Sequence, residues 1–147
     1  MLAIDHPNIV KVHEIIEDSC HFCIITEILD SQISIETCEN EEHGKLIIKQ
    51  VLEAINYLDS IGIIHKDIKL ENIMFTDASK IKIKLIDFGF ATFVSKINYE
   101  LTLGSPFFMA PEMIKALKYD QKVDVWAIGI LAYCLLCKSY PFADSDL

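Results

Sequence analysis

Apolar positions recur along this chain with two periods. Over residues 42–61, Ile48, Val51, Leu52, Ile55 and Leu58 fall at three- and four-residue steps, the spacing of one helix face. Asn40, Glu41 and Glu42 suit the start of that helix and Gly62 its end. Over residues 122–138 nearly every position is apolar, which predicts a second helix buried all round, with Trp126 and Tyr133 filling core. Shorter runs read as strands: from Ile9 onward, Phe22 to Ile28, Ile73 to Phe75, and Ile81 to Leu85, the last alternating with one solvated face. His6-Pro7-Asn8, Glu17-Asp18-Ser19 and Asp77-Ala78-Ser79 are turn signals between them. Helices and strands together predict an α+β fold.

Composition narrows this picture without deciding it. The 147 residues, 52% of them hydrophobic, suffice for one domain with a real core. A net charge of -9 argues against nucleic acid or an anionic membrane as a general partner. The run Val125 to Cys137 is short for a membrane span, and Met1 to Asp5 lacks the basic start and apolar core of a secretory leader. Five cysteines cannot all pair within the chain, so reduced thiols in a cytoplasmic or other intracellular setting are the simpler expectation. Cys20-x-x-Cys23 and Cys134-x-x-Cys137 have zinc-like spacing. The second pair lies at helical spacing in an apolar run, where small core residues are the plainer reading.

Three polar blocks interrupt the apolar pattern. The first is Ile64-His65-Lys66-Asp67-Ile68-Lys69-Leu70-Glu71-Asn72-Ile73; the second is Ile86-Asp87-Phe88-Gly89; the third runs from Gly104-Ser105-Pro106 to Ala110-Pro111-Glu112. In this order they resemble the catalytic loop, metal-binding motif and substrate-loop anchor of a eukaryotic protein kinase domain of the Ser/Thr type, most like calcium/calmodulin-dependent and calcium-dependent kinases. Phosphoryl transfer from ATP asks mainly for positioning and charge neutralisation, and Mg2+ asks for hard oxygen ligands.

The resemblance implies a role for each residue. Asp67 matches the base that receives the substrate hydroxyl proton, and Lys69 the lysine that contacts the transferred phosphate. Asn72 and Asp87 match the metal-binding pair. Thr26 falls at the gatekeeper, with the backbone of Glu27 and Leu29 as the adenine-binding hinge. Met74 falls under the adenine, although core packing alone would justify it. Glu71 and Ser105 match substrate-facing positions, and Ser105 with Lys69 favours serine or threonine acceptors. His65 and Phe88 match two packed residues of a spine between the lobes. Asp124 matches a buried acceptor of catalytic-loop N–H groups, and an acid also suits a helix N-terminus there.

Departures from the resemblance matter as well. Ile33 stands where relatives carry a glutamate that meets ribose and a substrate arginine, in a 30–40 segment that is a few residues short; Asp30 or Glu36 are its candidate substitutes. Lys66 replaces the usual arginine and loses the bidentate fork that grips a loop phosphate. Tyr99 and Thr102 are candidate phosphosites, while Leu101, beside Glu100, occupies the usual activating position.

The resemblance implies a partial domain: small-lobe strands and hinge over residues 1–29 and a mostly helical large-lobe core over residues 30–147. A Gly-rich loop, the Val-Ala-x-Lys strand and the last large-lobe helices have no counterpart in these residues, which leaves Glu112 expected as a buried carboxylate without its partner. Two uses fit. One is an ATP- and Mg2+-dependent protein kinase acting on protein substrates, with a possible regulatory partner outside the chain. The other is a non-catalytic kinase-like interaction module.

Overall fold

A computed structural model describes residues 4–99 and 103–142. The elements are β1 (Val12–Glu17), β2 (Phe22–Thr26), α1 (Glu41–Ser60), β3 (Ile63–Ile64), β4 (Ile73–Phe75), β5 (Ile83–Leu85), β6 (Thr92–Phe93), α2 (Pro111–Ile114) and α3 (Lys122–Cys137). Among the described residues the strands form three two-stranded antiparallel sheets, β1–β2, β3–β6 and β4–β5. The fold is the expected α+β, with two long helices against short hairpins.

Helix α1 starts where a side chain can replace a missing backbone partner. The Asn40 side chain accepts from His43 N at 2.9 Å, satisfying one of the orphan N–H groups of the first turn. The helix ends at Ile61, and Gly62 follows at φ 72°, a left-handed conformation that glycine adopts without a Cβ clash. Its inward face is Ile47, Val51, Ala54, Ile55 and Leu58, all buried. This corrects the predicted face by part of a turn: Leu52 is 43% exposed, and Ile48 only packs on the edge of the core. Gly44 is small where α3 crosses close by. A Cβ on Gly44 would meet Leu136 Cδ2 at 3.0 Å.

Helix α3 is the larger correction. Val123, Ala127, Ile128, Leu131, Cys134 and Leu135 face the core, but Val125, Trp126, Tyr133 and Leu136 are exposed. Its apolar sequence therefore serves two faces, of which the described residues cover one; Trp126 stacks on Phe142 instead of filling core. Cys137 is exposed as well, so only Cys134 of that pair is a core residue. No helix among the described residues is long and apolar enough to cross a membrane.

The strands are shorter than the apolar runs implied, because neighbouring residues bond elsewhere. Ile9 bridges in parallel to Leu85, so the chain touches β5 before it turns into β1. Val10 N donates to Leu85 O and Leu85 N to Asn8 O. After β2 the chain lies along β4: Asp30 N donates to Phe75 O, Phe75 N to Ser31 O, and Ile33 N to Ile73 O. The cleft-forming segments are thus held by main-chain bonds. Beneath them, Ile73, Phe75, Ile83 and Leu85 have no exposed surface and pack on α1.

A buried amide pair closes this unit. The Gln50 side-chain oxygen accepts from Asn8 Nδ2 and Ile83 N, and its nitrogen donates to Leu46 O and Ile81 O. Each polar atom has a partner, as burial requires. The helix face is testable. Leu58→Ala should cost about 2–5 kcal/mol and Leu52→Ala less than about 1 kcal/mol, read from urea midpoints of the intact protein. Equal losses would mean that the face is misassigned.

Candidate functional site

The site begins where β3 leaves the sheet. His65 N and Lys66 N donate to the two oxygens of Asp124, at 2.8 and 2.9 Å. Lys66 sits at φ 68°, a strained conformation for a residue with a side chain. Two hydrogen bonds to one buried carboxylate offset that strain and fix the turn. Burial pushes the Asp124 carboxyl up to about 6, against the pull of the two N–H donors and the Lys66 charge.

His65 has no exposed surface. Burial lowers its imidazole to about 4. Its Nδ1 accepts from Asp67 N at 3.3 Å, and Nε2 lies 3.3 Å from Ile86 O. A neutral ring with the proton on Nε2 satisfies both contacts. The ring packs edge-on against Phe88 at 4.8 Å, so His65 links the two polar blocks by packing.

Asp67 is the most densely bonded side chain of the loop. Ser105 Oγ donates to its Oδ1 at 2.8 Å. Lys69 Nζ lies 2.8 Å from Oδ2, and Asn72 Nδ2 donates to the same oxygen at 2.9 Å. Burial alone would raise the Asp67 carboxyl, but the Lys69, Ser105 and Asn72 hydrogen bonds and the Lys69 charge outweigh it and hold it below the usual range. Lys69 also donates to Ser105 Oγ at 2.8 Å. One serine hydroxyl therefore bridges the carboxylate and the ammonium. It arrives there because Gly104, at φ 134°, lets the backbone pass Lys66 O; a Cβ would sit 2.8 Å from that oxygen.

Asn72 gives both amide N–H bonds to Asp67, one to Oδ2 and one to the carbonyl. Among the described residues its side-chain oxygen has no hydrogen-bond partner. Ile86 N donates to Asn72 O at 2.8 Å, so Asp87 follows one residue beyond a fixed bond to Asn72. Asp87 is exposed at φ 56°, and one of its carboxylate oxygens accepts from Gly89 N. An amide oxygen and a carboxylate from adjoining segments are a hard-oxygen pair that fits Mg2+.

Beside them opens a mostly apolar cleft of about 400 Å³, bordered by Val10, Ile24, Thr26, Leu29, Met74 and Phe88, with Glu27 and Asp87 at its polar margin. Leu29 N–H and C=O have no hydrogen-bond partner among the described residues. A flat heteroaromatic ring with its own donor and acceptor could take those groups.

This chain matches the family model described as "Protein kinase domain" over residues 1–147. The chain belongs to the protein kinase family. It is similar to a probable myosin light chain kinase of Dictyostelium discoideum, at 34% identity over 100% of the chain and 50% of the relative. It is 38% identical to calcium-dependent protein kinase 5 of Plasmodium berghei (97% of the chain, 26% of the relative). It is 34% identical to mouse calcium/calmodulin-dependent protein kinase type IV (98% and 32%). The chain thus spans half or less of these relatives' length.

Within this kinase-domain segment the candidate site residues converge from both sides of the cleft. Thr26, Glu27, Leu29, Met74 and Asp87 border the cavity; Asp67, Lys69, Asn72 and Ser105 form the polar cluster. Glu71 is exposed at the cluster's edge, its carbonyl accepting from Gln32 Nε2. Ile33, expected at a substrate-facing position, is 3% exposed and lies in the core. Glu112 is half-buried and not sealed in as expected. Glu100, Leu101 and Thr102 lie outside the described residues. Tyr99 packs edge-on against Tyr119. Sequence reasoning missed Val10, Ile24 and Ile86 as cleft residues, since their apolar character is equally that of plain strand core.

Buried His65 and Asp124 make opposite contributions to acid stability. His65, at about 4 against an ordinary 6.5, favours the fold above 6.5 and loses that contribution as pH falls toward 4. Asp124, at about 6 against an ordinary 3.8, favours the fold below 3.8 and loses that contribution as pH rises through 6. The two slopes oppose one another between roughly pH 4 and 6. Asp124→Asn should therefore steepen the loss of stability on acidification from pH 6.5 to 4, read from denaturant midpoints. An unchanged slope would show that Asp124 does not titrate in that range.

Proposed function

We propose that this protein is a serine/threonine kinase that transfers the γ-phosphate of ATP, with Mg2+, to hydroxyl groups of protein substrates. The observation that carries the reading is the Asp67–Ser105–Lys69 constellation, in which one hydroxyl lies 2.8 Å from both a buried carboxylate and an ammonium. A substrate hydroxyl entering beside Ser105 meets the same two groups.

Each residue then has a role that its chemistry suits. Asp67 is ionised at neutral pH, so it can accept the hydroxyl proton. Its anchors at Ser105 and Asn72 hold the accepting oxygen still. Lys69 places a positive charge where the phosphoryl group passes between oxygens. The Asn72 side-chain oxygen and the Asp87 carboxylate would hold Mg2+, whose chemistry there is neutralisation of phosphate charge. The Leu29 backbone groups and the Glu27 carbonyl would bind adenine, with Thr26 and Met74 beside the ring. Glu71 faces the substrate. Residues 1–29 act as small-lobe strands and hinge, and residues 30–147 as the core of the large lobe. Dependence on ATP suits a cytoplasmic or other intracellular site of action, and a net charge of -9 disfavours nucleic acid as a substrate.

Two variants of the intact protein test this. Asp67→Asn should lower kcat by roughly 100-fold or more while Mg2+-dependent ATP affinity stays within about threefold. Asp87→Ala should abolish Mg2+-dependent ATP binding measured by calorimetry. Wild-type transfer surviving in Asp67→Asn would remove Asp67 from the chemistry. A folded wild-type protein that binds no Mg2+-ATP would favour the non-catalytic module.

A further inference from the structure

Glu27 enters the reading above only through its backbone, yet its side chain is among the best-held in the molecule. Its carboxylate lies 2.7 Å from Lys84 Nζ, with the two side chains 26% and 14% exposed. The same oxygen accepts from Lys11 N at 2.7 Å, and Glu27 N donates to Lys11 O. Lys84 makes a second bond, to Ile9 O at 3.2 Å. A half-sheltered ion pair with this many backbone partners has its desolvation largely offset, and removing one member leaves the other poorly solvated.

The pair adds a side-chain tie among three segments that main-chain bonds also connect: the turn into β1, the end of β2, and β5. Three residues beyond Lys84 is Asp87. One residue before Glu27 is Thr26, and both line the cavity. Burial pushes the Glu27 carboxyl up, but Lys84 and the Lys11 N–H more than offset it, so the carboxylate is held ionised.

We propose that the Glu27 carboxylate and Lys84 are positioning residues for the nucleotide, setting the separation between the hinge backbone and the Asp87 carboxylate. The inference rests on the reading of this cleft as a Mg2+-ATP site. Neither side chain touches the reacting atoms. A ligand that must reach both ends of the cleft gains from a fixed span, because the cost of ordering is met before it binds.

The test uses the intact protein with Lys84→Met, Glu27→Gln, their double variant, and Lys84→Arg. Lys84→Met and Glu27→Gln should each raise KM for ATP about tenfold with kcat within about twofold. The double variant should be no worse than the poorer single one, because the two act as a unit. Lys84→Arg, which keeps the charge, should recover most of the affinity. Without nucleotide, amide hydrogen exchange at residues 27–30 should quicken in Lys84→Met. An unchanged KM, equal losses in kcat and kcat/KM with a lowered Tm, or additive effects in the double variant would each overturn the proposal. If the wild type binds no Mg2+-ATP, the functional reading fails by itself. Exchange at residues 27–30 then still decides whether the pair holds the hinge, and unchanged exchange overturns that too.

Discussion

The contact between the Asp124 carboxylate and the N–H groups of His65 and Lys66 is the constraint from which the site is built. A loop that turns through φ 68° at a lysine does not hold itself. Helix α3 holds it, and α3 is in turn fixed against α1 by Leu131, Cys134 and Leu135. The core therefore reaches the chemistry through one carboxylate. Its burial is costly for a charge, and two backbone donors are what make it tolerable. The same turn presents Lys66 O to Gly104, so the position of Ser105 follows from that anchor too.

Around Asp67 the structure concentrates donors on one acid. Lys69, Ser105 and Asn72 all spend hydrogen bonds there. In a site sheltered from water, such bonds cost no reorganisation when charge moves. Asn72 shows the economy of this arrangement: its one amide nitrogen holds both the carboxylate and the carbonyl of Asp67. The neutral His65 behind them adds no competing charge, and its ring edge holds Phe88 and hence the Asp87 turn in place.

Much of this was legible in the sequence because polar residues between apolar runs have few structural excuses. Asp67, Lys69 and Asn72 stand out in this way and through the motif they share with protein kinases; they form the cluster with Ser105, while Asp87 lies at the cleft margin. Asp124 was legible in both its readings, as a first-turn acid and as a partner of the loop. The faces of the helices were less legible. In α3 nearly every position is apolar enough for core, so hydrophobicity could not say that Trp126 and Tyr133 point outward. In α1 the true inner face uses Gly44, Ala54 and Gln50, residues that carry little or no hydrophobic signal. The partnership of Gln50 with Asn8, and of Glu27 with Lys84, was invisible because charges and amides on strands and helices usually mean a solvated face.

The segment after β2 is sewn to β4 by bonds between backbone groups, at Asp30, Ser31 and Ile33. Such bonds are indifferent to side-chain identity. Substitutions at the exposed Asp30 and Gln32 can therefore change what the protein's outer surface meets while the floor of the cleft keeps its shape. Ile33 turns inward, its N–H bonded to Ile73 O, while Gln32 is the residue that bridges to Met74. Surface character and cleft shape thus reside here in separate atoms of the same residues.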